Sequence, residues 1–297
     1  MSACSSTRGK VTKRPLSAYN HKMIRNRWAT LLLLAFCVLW SSLILRAADI
    51  VSFQSGNLTL YGVLYKPEGA GPFPAVLYNH GSAAGMLNNE AFEALGPVFA
   101  KRGWIFFAPY RRGQGLSASA GLYIGDEIEA ARKNGGMRAA AATMVRLLET
   151  DQLNDQLAAL AWLQKREFVQ ARRIAVAGNS FGGVEAVLGA ERGSYCAAID
   201  ASGGAESWAL APELQVSMTR AVRNAHVPIF FFQPENDYDL APSRVLSAAM
   251  KSSGKTFEMK IYPAFGKSNQ EGHSFSYLGS SVWADDVFGF LEQNCGK

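Results

Sequence analysis

The stretch GNSFGG, residues 178–183, places Ser180 between glycines where an apolar run meets a helical pattern. A serine hydroxyl is a weak nucleophile that needs a neighbouring base, and that base must itself be oriented by a third group. The pattern G-x-S-x-G between a strand and a helix is typical of a tight turn in which bulkier neighbours would collide with the chain. Ser180 is therefore the candidate nucleophile.

The sequence offers four histidines as the base. His21 lies in the basic N-terminal segment, and His226 precedes an apolar strand, at the wrong end of a parallel sheet. His80 ends an earlier strand, where a structural role in a turn fits its position. His273 follows the last predicted strand in a polar loop, which is where an α/β-hydrolase base belongs. We therefore expect His273 to be the base.

The orienting acid is sought after the strand that precedes His273. The apolar stretch VPIFFFQ runs into PENDYDLAP, so that Asp237 and Asp239 both stand at the end of this strand. Asp237 is favoured because it lies far enough into the loop to point back at the histidine. Asp239 is the alternative, or it caps the helix that follows, and Asp200 is a weaker candidate. The resulting order of nucleophile, acid and base is that of α/β-hydrolases.

Acyl transfer through a serine also needs N–H groups that bind the developing oxyanion. The N–H of Phe181, directly after the nucleophile, is one expected donor. The other is expected from NHGSAAG, residues 79–85, with Ser82 first and Ala83 second. His80 and its following glycine would shape this turn.

The stretch RRGQGLSASAG, residues 111–121, is glycine-rich but does not match a phosphate-binding loop. It lacks the third glycine of G-x-G-x-x-G and the Lys-Ser/Thr pair of a P-loop. Arg111 and Arg112 are therefore expected to hold a loop at the rim of the pocket or to meet a substrate carboxylate. No motif requires a metal or an organic cofactor.

Apolar strand-like runs alternate with helical patterns from residue 49 onward. Such alternation predicts an α/β fold with a mostly parallel central sheet, here of about eight strands, flanked by helices on both faces. Residues 116–149 break the alternation and predict a small helical insertion before the helix of residues 150–168. Such an insertion would lie over the carboxyl ends of the strands, as a lid or as an inert addition.

The five motifs YNHGS, PYRRGQGLS, GNSFGG, PENDYDLAPS and EGHSF occur in this order between residues 78 and 275. Together they resemble the dienelactone hydrolase branch of the α/β-hydrolase superfamily, which is close to the catalytic domains of prolyl-oligopeptidase-type enzymes. The resemblance implies an α/β-hydrolase fold over about residues 58–295 and an acyl-transfer reaction. Ser180 stands where dienelactone hydrolases have a cysteine, which favours ester or peptide-type acyl transfer. The first hypothesis is an esterase, with a peptidase or amidase as the alternative. A non-catalytic binding protein of this fold is the third hypothesis.

The positive charge of the chain is concentrated before the predicted domain. Residues 1–48 hold eight of the 30 basic residues and no acidic residue, so that residues 49–297 carry a slight negative charge. This distribution argues against nucleic acid as a partner. A basic segment followed by 18 uncharged residues, 28–45, predicts a signal peptide or an N-terminal membrane anchor. We expect an exported protein, periplasmic or secreted, with cleavage after Ala47 or Ala48 if the segment is removed; Met23 is an alternative start.

Two cysteines lie within the predicted domain, Cys196 and Cys295. Export would permit a disulfide between them, whereas the apolar run around Cys196 is typical of a buried free thiol. The expected partner is a small ester or a short peptide-like substrate, and the sequence leaves the oligomeric state open.

Overall fold

The computed structural model describes residues 48–82 and 90–296, which form an eight-stranded sheet flanked by helices. The strands lie in the order β1-β2-β4-β3-β5-β6-β7-β8. The pairs β1–β2 and β2–β4 are antiparallel, and all other neighbours are parallel. The strands are β1 Asp49–Ser55, β2 Leu58–Tyr65, β3 Phe73–Asn79, β4 Ile105–Pro109, β5 Val169–Asn179, β6 Ala198–Ala201, β7 Ile229–Pro234 and β8 Phe257–Tyr262.

Helices follow the strands along the chain, as the alternating sequence pattern predicts. The helices of the described residues are α1 Glu90–Lys101, α2 Ile124–Leu147, α3 Leu153–Gln164, α4 Phe181–Arg192, α5 Pro212–Asn224, α6 Ala241–Ser252, α7 Asn269–His273, α8 Phe275–Leu278 and α9 Ser280–Asn294. The predicted α/β-hydrolase architecture, with a mostly parallel sheet of eight strands, is confirmed.

Central strands of the sheet are largely apolar because helices cover both of its faces. Every residue of β4, β6 and β7 is buried. Alternate residues of β3 enter different layers of the core: Leu77 packs into one hydrophobic cluster, while Val76 and Tyr78 pack into the other. The two layers hold the sheet in one register and thereby fix where each strand ends.

The parallel strands β3 to β8 all end at the same edge of the sheet. Ligands of open α/β sheets bind at this carboxyl edge. The loops that carry the predicted site residues follow β3, β5, β7 and β8, so this topology collects them from four distant parts of the sequence.

The predicted insertion, residues 116–149, comprises most of a 3₁₀ turn, Gly115–Ala120, and the whole of α2. The chain of α2 breaks at Gly136, whose φ of 74° is not helical. One π-helical turn, Leu148–Gln152, then joins α2 directly to α3. The predicted start of a separate helix at residue 150 is therefore wrong, because the turn continues the backbone hydrogen bonding through that position.

The predicted signal or anchor segment, residues 28–45, lies outside the described residues, as do residues 83–89. Among the residues that the structure describes, no helix is both long and apolar enough to span a bilayer. The predicted division of the chain at residue 48 and the role of 116–149 as a lid stay predictions.

A disulfide joins Cys196, just before β6, to Cys295, directly after α9. Of the two states that the sequence left open at Cys196, the structure has the disulfide. The end of the last helix lies against the start of a central strand, with the two Cα atoms 4.9 Å apart. The bond attaches the C-terminal helix covalently to the middle of the sheet.

We predict that removing this disulfide lowers stability, because it closes a loop with a sequence separation of 99 residues. Cys295→Ser should reduce the free energy of unfolding by about 2–4 kcal/mol, measured by urea denaturation. The wild type in excess dithiothreitol should show the same loss. Identical urea midpoints with and without reductant would contradict the prediction.

Candidate active site

Ser180 occupies a sharp turn between β5 and α4, with φ 56° and ψ −122°. A positive φ at a residue other than glycine is strained, with a typical cost of about 1–3 kcal/mol. Backbone hydrogen bonds hold this conformation. The Ser180 N–H donates to Ala201 O at 3.1 Å, and Ser180 O accepts from the N–H groups of Gly183 and Val184. The turn is thus fixed by the end of β6 and by the first turn of α4.

The glycines around Ser180 are required by close approach of the backbone. A Cβ on Gly178 would lie 2.0 Å from Gly182 O, and one on Gly182 would lie 1.9 Å from Asn79 O. Neither contact is sterically possible, so the start of α4 can lie against the ends of β3 and β5 only with glycine at both positions. This confirms the steric explanation of the G-x-S-x-G pattern.

His273 and Asp237 form a buried hydrogen-bonded pair. His273 Nδ1 lies 2.8 Å from Asp237 Oδ1, and the aspartate side chain is fully buried. Asp237 also accepts the Tyr238 N–H on Oδ1 at 2.7 Å and the Gln233 Nε2 on Oδ2 at 3.1 Å. These donors hold the carboxylate so that it accepts from the imidazole. Nδ1 then carries the proton, and Nε2 is left as the basic nitrogen.

The loop that carries His273 is attached to the loop that carries Asp237 through the Asn236 side chain. Asn236 Oδ1 accepts the Phe265 N–H at 2.9 Å, and its Nδ2 donates to Phe265 O and Ser268 O. Ser268 and Glu271 form a reciprocal capping box at the start of α7. The histidine at the end of this short helix is therefore fixed from both sides.

The predicted base and the predicted nucleophile follow different strands, β8 and β5, at the same edge of the sheet. His273 Nε2 is buried and has no hydrogen-bond partner among the described residues, Ser180 included. Ser180 is partly exposed. The structure thus joins the predicted acid and base by a hydrogen bond and does not join the base to the nucleophile. Catalytic hydrogen bonds often close only when substrate binds.

The other acids considered from sequence have different surroundings. Asp239 Oδ1 accepts the Ala241 N–H at 2.8 Å, at the start of α6, which matches its expected alternative as a helix cap. Asp200 is buried and accepts the Gly203 N–H at 2.8 Å. Burial raises the pKa of Asp200 to about 7, and the nearby charge of Asp237 adds to the rise. Neither carboxylate is hydrogen-bonded to His273, and His226 lies exposed before β7.

The loop after β3 passes directly beside the nucleophile. A Cβ on Gly81 would lie 3.4 Å from Ser180 Cβ, so Ser82 follows at the rim of the site. Phe181 begins α4, where no preceding turn exists to accept its N–H. Ser82 and Phe181 thus flank Ser180 as predicted for oxyanion donors, while the second choice, Ala83, lies outside the described residues.

His80 is a structural histidine, as its position in the sequence suggested. Its Nδ1 lies 2.7 Å from Gly81 O, and its Nε2 accepts the Arg111 N–H at 3.4 Å. Burial, together with the charge of Arg111, holds the pKa of His80 well below its usual range. The ring is therefore neutral and serves to shape the turn.

The two arginines after β4 make separate structural contacts. Arg111 is buried and donates from Nη2 to Gly81 O at 2.9 Å. Arg112 forms a two-point ion pair with the buried Asp155 at 2.8 and 2.7 Å, and a further contact with Asp151. Arg111 thus holds the rim loop, and Arg112 attaches the same segment to α3.

A buried carboxyl group lies below the site on the helix that begins at the nucleophile. Glu185 is fully buried, and burial raises its pKa to about 8, against the opposing effect of the Arg111 charge. With its amide turned to satisfy both of its atoms, Gln156 donates to Glu185 Oε2 at 3.2 Å. Sequence analysis missed this residue, because a glutamate within a helix usually indicates a solvent-exposed position.

A comparison with protein families identifies the family of this chain. The model of the dienelactone hydrolase family matches residues 60–285, about three quarters of the chain. The chain belongs to the dienelactone hydrolase family. It is therefore a member of a hydrolase family, and the resemblance inferred from the motifs is confirmed. A comparison with curated proteins found no match.

Solved structures with the same fold include both peptidases and esterases. The acylaminoacyl peptidase of Pyrococcus horikoshii is 18% identical with a TM-score of 0.62, and the alignment covers 86% of this chain and 43% of the peptidase. Dipeptidyl peptidase 4 of Porphyromonas gingivalis is 18% identical with a TM-score of 0.59, and the alignment covers 83% of this chain and 35% of that peptidase. An esterase of Pyrococcus furiosus is 16% identical with a TM-score of 0.60, and the alignment covers 84% of this chain and 93% of the esterase. This dienelactone hydrolase family member thus spans less than half the length of the two peptidases.

We predict that Glu185→Gln changes how stability depends on pH. The raised pKa means that folded protein holds a proton which the unfolded chain releases, so wild-type stability falls as the pH rises from about 4.5 to about 8. Across this window the free energy of unfolding of the variant should rise relative to that of the wild type, by at most about 1.4 kcal/mol per pH unit. Urea denaturation between pH 4 and pH 9 measures the difference.

Glu292→Gln, at an exposed position of α9, is the control for the loss of one carboxylate. Its stability curve should run parallel to that of the wild type. If the Glu185→Gln curve is also parallel, Glu185 ionises as it does in the unfolded chain, and the prediction is wrong.

Proposed function

We propose that this protein is a serine hydrolase that cleaves carboxylic esters through an acyl-enzyme. The observation that carries the proposal is the buried His273–Asp237 hydrogen bond at the sheet edge where Ser180 occupies its strained turn. The imidazole is held with Nδ1 protonated, and its Nε2, which has no partner among the described residues, is left as the basic nitrogen. Membership of a hydrolase family supports the same conclusion.

In the proposed mechanism Ser180 Oγ attacks the carbonyl carbon of the ester while His273 Nε2 takes the hydroxyl proton. Asp237 accepts the Nδ1 proton and stabilises the imidazolium. The N–H groups of Phe181 and Ser82 bind the tetrahedral oxyanion. The imidazolium then protonates the departing alcohol, and water repeats the sequence on the acyl-enzyme, which releases the acid and restores Ser180.

We predict that a fluorophosphonate probe labels the folded protein at Ser180 and nowhere else. Only a serine activated by its surroundings reacts with such a probe at a useful rate. Peptide mass spectrometry should locate the adduct, and Ser180→Ala should lose both labelling and ester hydrolysis. Undiminished labelling of Ser180→Ala would exclude Ser180 as the nucleophile. The absence of any adduct on folded wild type would favour a non-catalytic binding protein.

Two neighbouring aspartates provide a matched pair of variants for the acid. Asp237→Asn should reduce kcat by up to about 10⁴-fold, because an amide no longer holds the required tautomer. Asp239→Asn should keep kcat within a few-fold and cost at most about 1 kcal/mol of stability, since its side chain contacts the start of α6. The reverse result would show that the acid has been assigned wrongly.

Ester and amide substrates with the same acyl group separate esterase from peptidase. We expect kcat/KM for a p-nitrophenyl ester to exceed that for the matching p-nitroanilide. The alignment over 93% of an esterase chain, against 43% of a peptidase chain, supports this preference. A higher kcat/KM for the anilide, or for aminoacyl anilides, would indicate the peptidase alternative.

We also propose that the protein is exported, either released or attached by residues 28–45. Support comes from the basic, acid-free N-terminal segment and from the Cys196–Cys295 disulfide, since such bonds persist in oxidising compartments.

N-terminal sequencing of protein expressed with its own leader in a secreting bacterial host tests this proposal. A released enzyme should begin after Ala47 or Ala48, and an anchored one should keep its leader and sediment with membranes. Full-length protein in the soluble cytosolic fraction, with reduced cysteines, would contradict export.

A further inference from the structure

The peptide bond between Gly81 and Ser82 is held at its carbonyl by side chains outside the proposed triad. Gly81 O accepts from Arg111 Nη2 at 2.9 Å and lies 2.7 Å from His80 Nδ1. The neutral histidine donates this second hydrogen bond. In the preceding peptide bond, the Gly81 N–H donates to Asn179 Oδ1 at 3.2 Å. The orientation of the carbonyl is therefore fixed by two donors.

The direction of this carbonyl also fixes the direction of the next N–H. A trans peptide is planar, so the Ser82 N–H points away from the Gly81 carbonyl, in the same plane. Within residues 48–82 and 90–296, the Ser82 N–H has no hydrogen-bond acceptor. Gly81 itself lies against Ser180. An N–H of fixed direction, with no acceptor among the described residues, thus follows the glycine that packs against Ser180.

We infer that Arg111 is a positioning residue of the oxyanion hole, acting through the Gly81 carbonyl to aim the Ser82 N–H at the oxyanion. This inference rests on the proposed function and names a residue on which it depends. Arg111 touches neither substrate nor reacting atoms. It holds the carbonyl end of the Gly81–Ser82 peptide, and the N–H end of the same peptide binds the oxyanion.

The surroundings of Arg111 suit this role. The side chain is 3% exposed, and its Nε lies 3.3 Å from Gln114 Oε1, so the planar guanidinium is fixed at two points. A cation at a carbonyl oxygen also polarises the peptide, which makes its N–H a stronger donor. Burial lowers the pKa of Arg111 from its usual value, and the nearby carboxylate of Asp155 opposes this effect.

Tyr123 holds the same peptide from the side of Ser82. Its hydroxyl lies 3.0 Å from Ser82 Oγ. The tyrosine directly precedes α2, so it brings the inserted segment into contact with the rim loop. Ser82 is thus restrained at its side chain while Arg111 restrains the preceding carbonyl.

Arg111→Lys tests the inference, because lysine keeps the charge but cannot hold Gly81 O and Gln114 together. The substrates are a p-nitrophenyl ester and its thiono analogue, whose sulfur is a weak hydrogen-bond acceptor. We expect kcat for the ester to fall by about 10- to 100-fold, with KM within about two-fold, as expected for a weakened oxyanion donor. The thionoester kcat should fall much less, so that the ester-to-thionoester ratio decreases.

Arg112→Lys is the matched control, since Arg112 pairs with Asp155 and Asp151. It should keep the wild-type ratio even if it lowers thermal stability. If Arg111→Lys lowers kcat equally for the ester and the thionoester, or leaves kcat for the ester unchanged, the inference is overturned.

Tyr123→Phe gives an independent measurement, because this half-buried side chain loses only a hydroxyl. The same ratio should fall, by a smaller factor than in Arg111→Lys. If Arg111→Lys does not fold and Tyr123→Phe leaves the ratio unchanged, the inference is overturned. A failure of the proposed function would be distinguishable, because the wild type itself would then neither hydrolyse the ester nor react with the fluorophosphonate probe.

Discussion

The site depends on one close approach, that of the first turn of α4 to the end of β3. At Gly182 the backbone of the helix lies so near Asn79 O that even a methyl group could not be accommodated. This contact bends the chain at Ser180 into a positive φ, and it brings Gly81 against the nucleophile. The exposed hydroxyl and the neighbouring N–H groups are thus both consequences of the same packing. Any side chain at these glycines would move the nucleophile and the oxyanion loop together.

Several charged or titratable side chains are buried in the same part of the molecule. Arg111, Asp155, Glu185 and Asp200 are all buried, where unpaired charges would be strongly destabilising. Arg112 neutralises Asp155, and Arg111 is hydrogen-bonded to Gly81 O and Gln114 Oε1. Burial raises the pKa of Glu185 to about 8 and that of Asp200 to about 7. We interpret this layer as the support that keeps the loops of the sheet edge in fixed positions.

The sequence was informative wherever strand ends determine position. Parallel topology brings the ends of β5, β7 and β8 to one edge, so Ser180, Asp237 and His273 could be selected by their order along the chain. The structure places the acid and the base in contact as expected. The reason is that apolar runs and glycine spacing are local signals, and the fold translates them directly into positions at the sheet edge.

Other parts of the site have no local signal. Asn236 attaches the histidine loop through hydrogen bonds to residues about 30 positions away, and Tyr123 meets Ser82 across 41 positions. An asparagine in a loop and a tyrosine before a helix are compatible with many roles. The Cys196–Cys295 bond was similarly ambiguous, because an apolar run suits a free thiol as well as a buried disulfide.

The disulfide has a further consequence for the integrity of the chain. Asp237 and His273 both lie in the segment between Cys196 and Cys295, whereas Ser180 lies before it. A single peptide-bond cleavage anywhere in that segment leaves the two fragments covalently joined. The fragment that carries the histidine then stays attached next to β6, one strand away from the nucleophile. A protein so closed is suited to surroundings in which proteases are present.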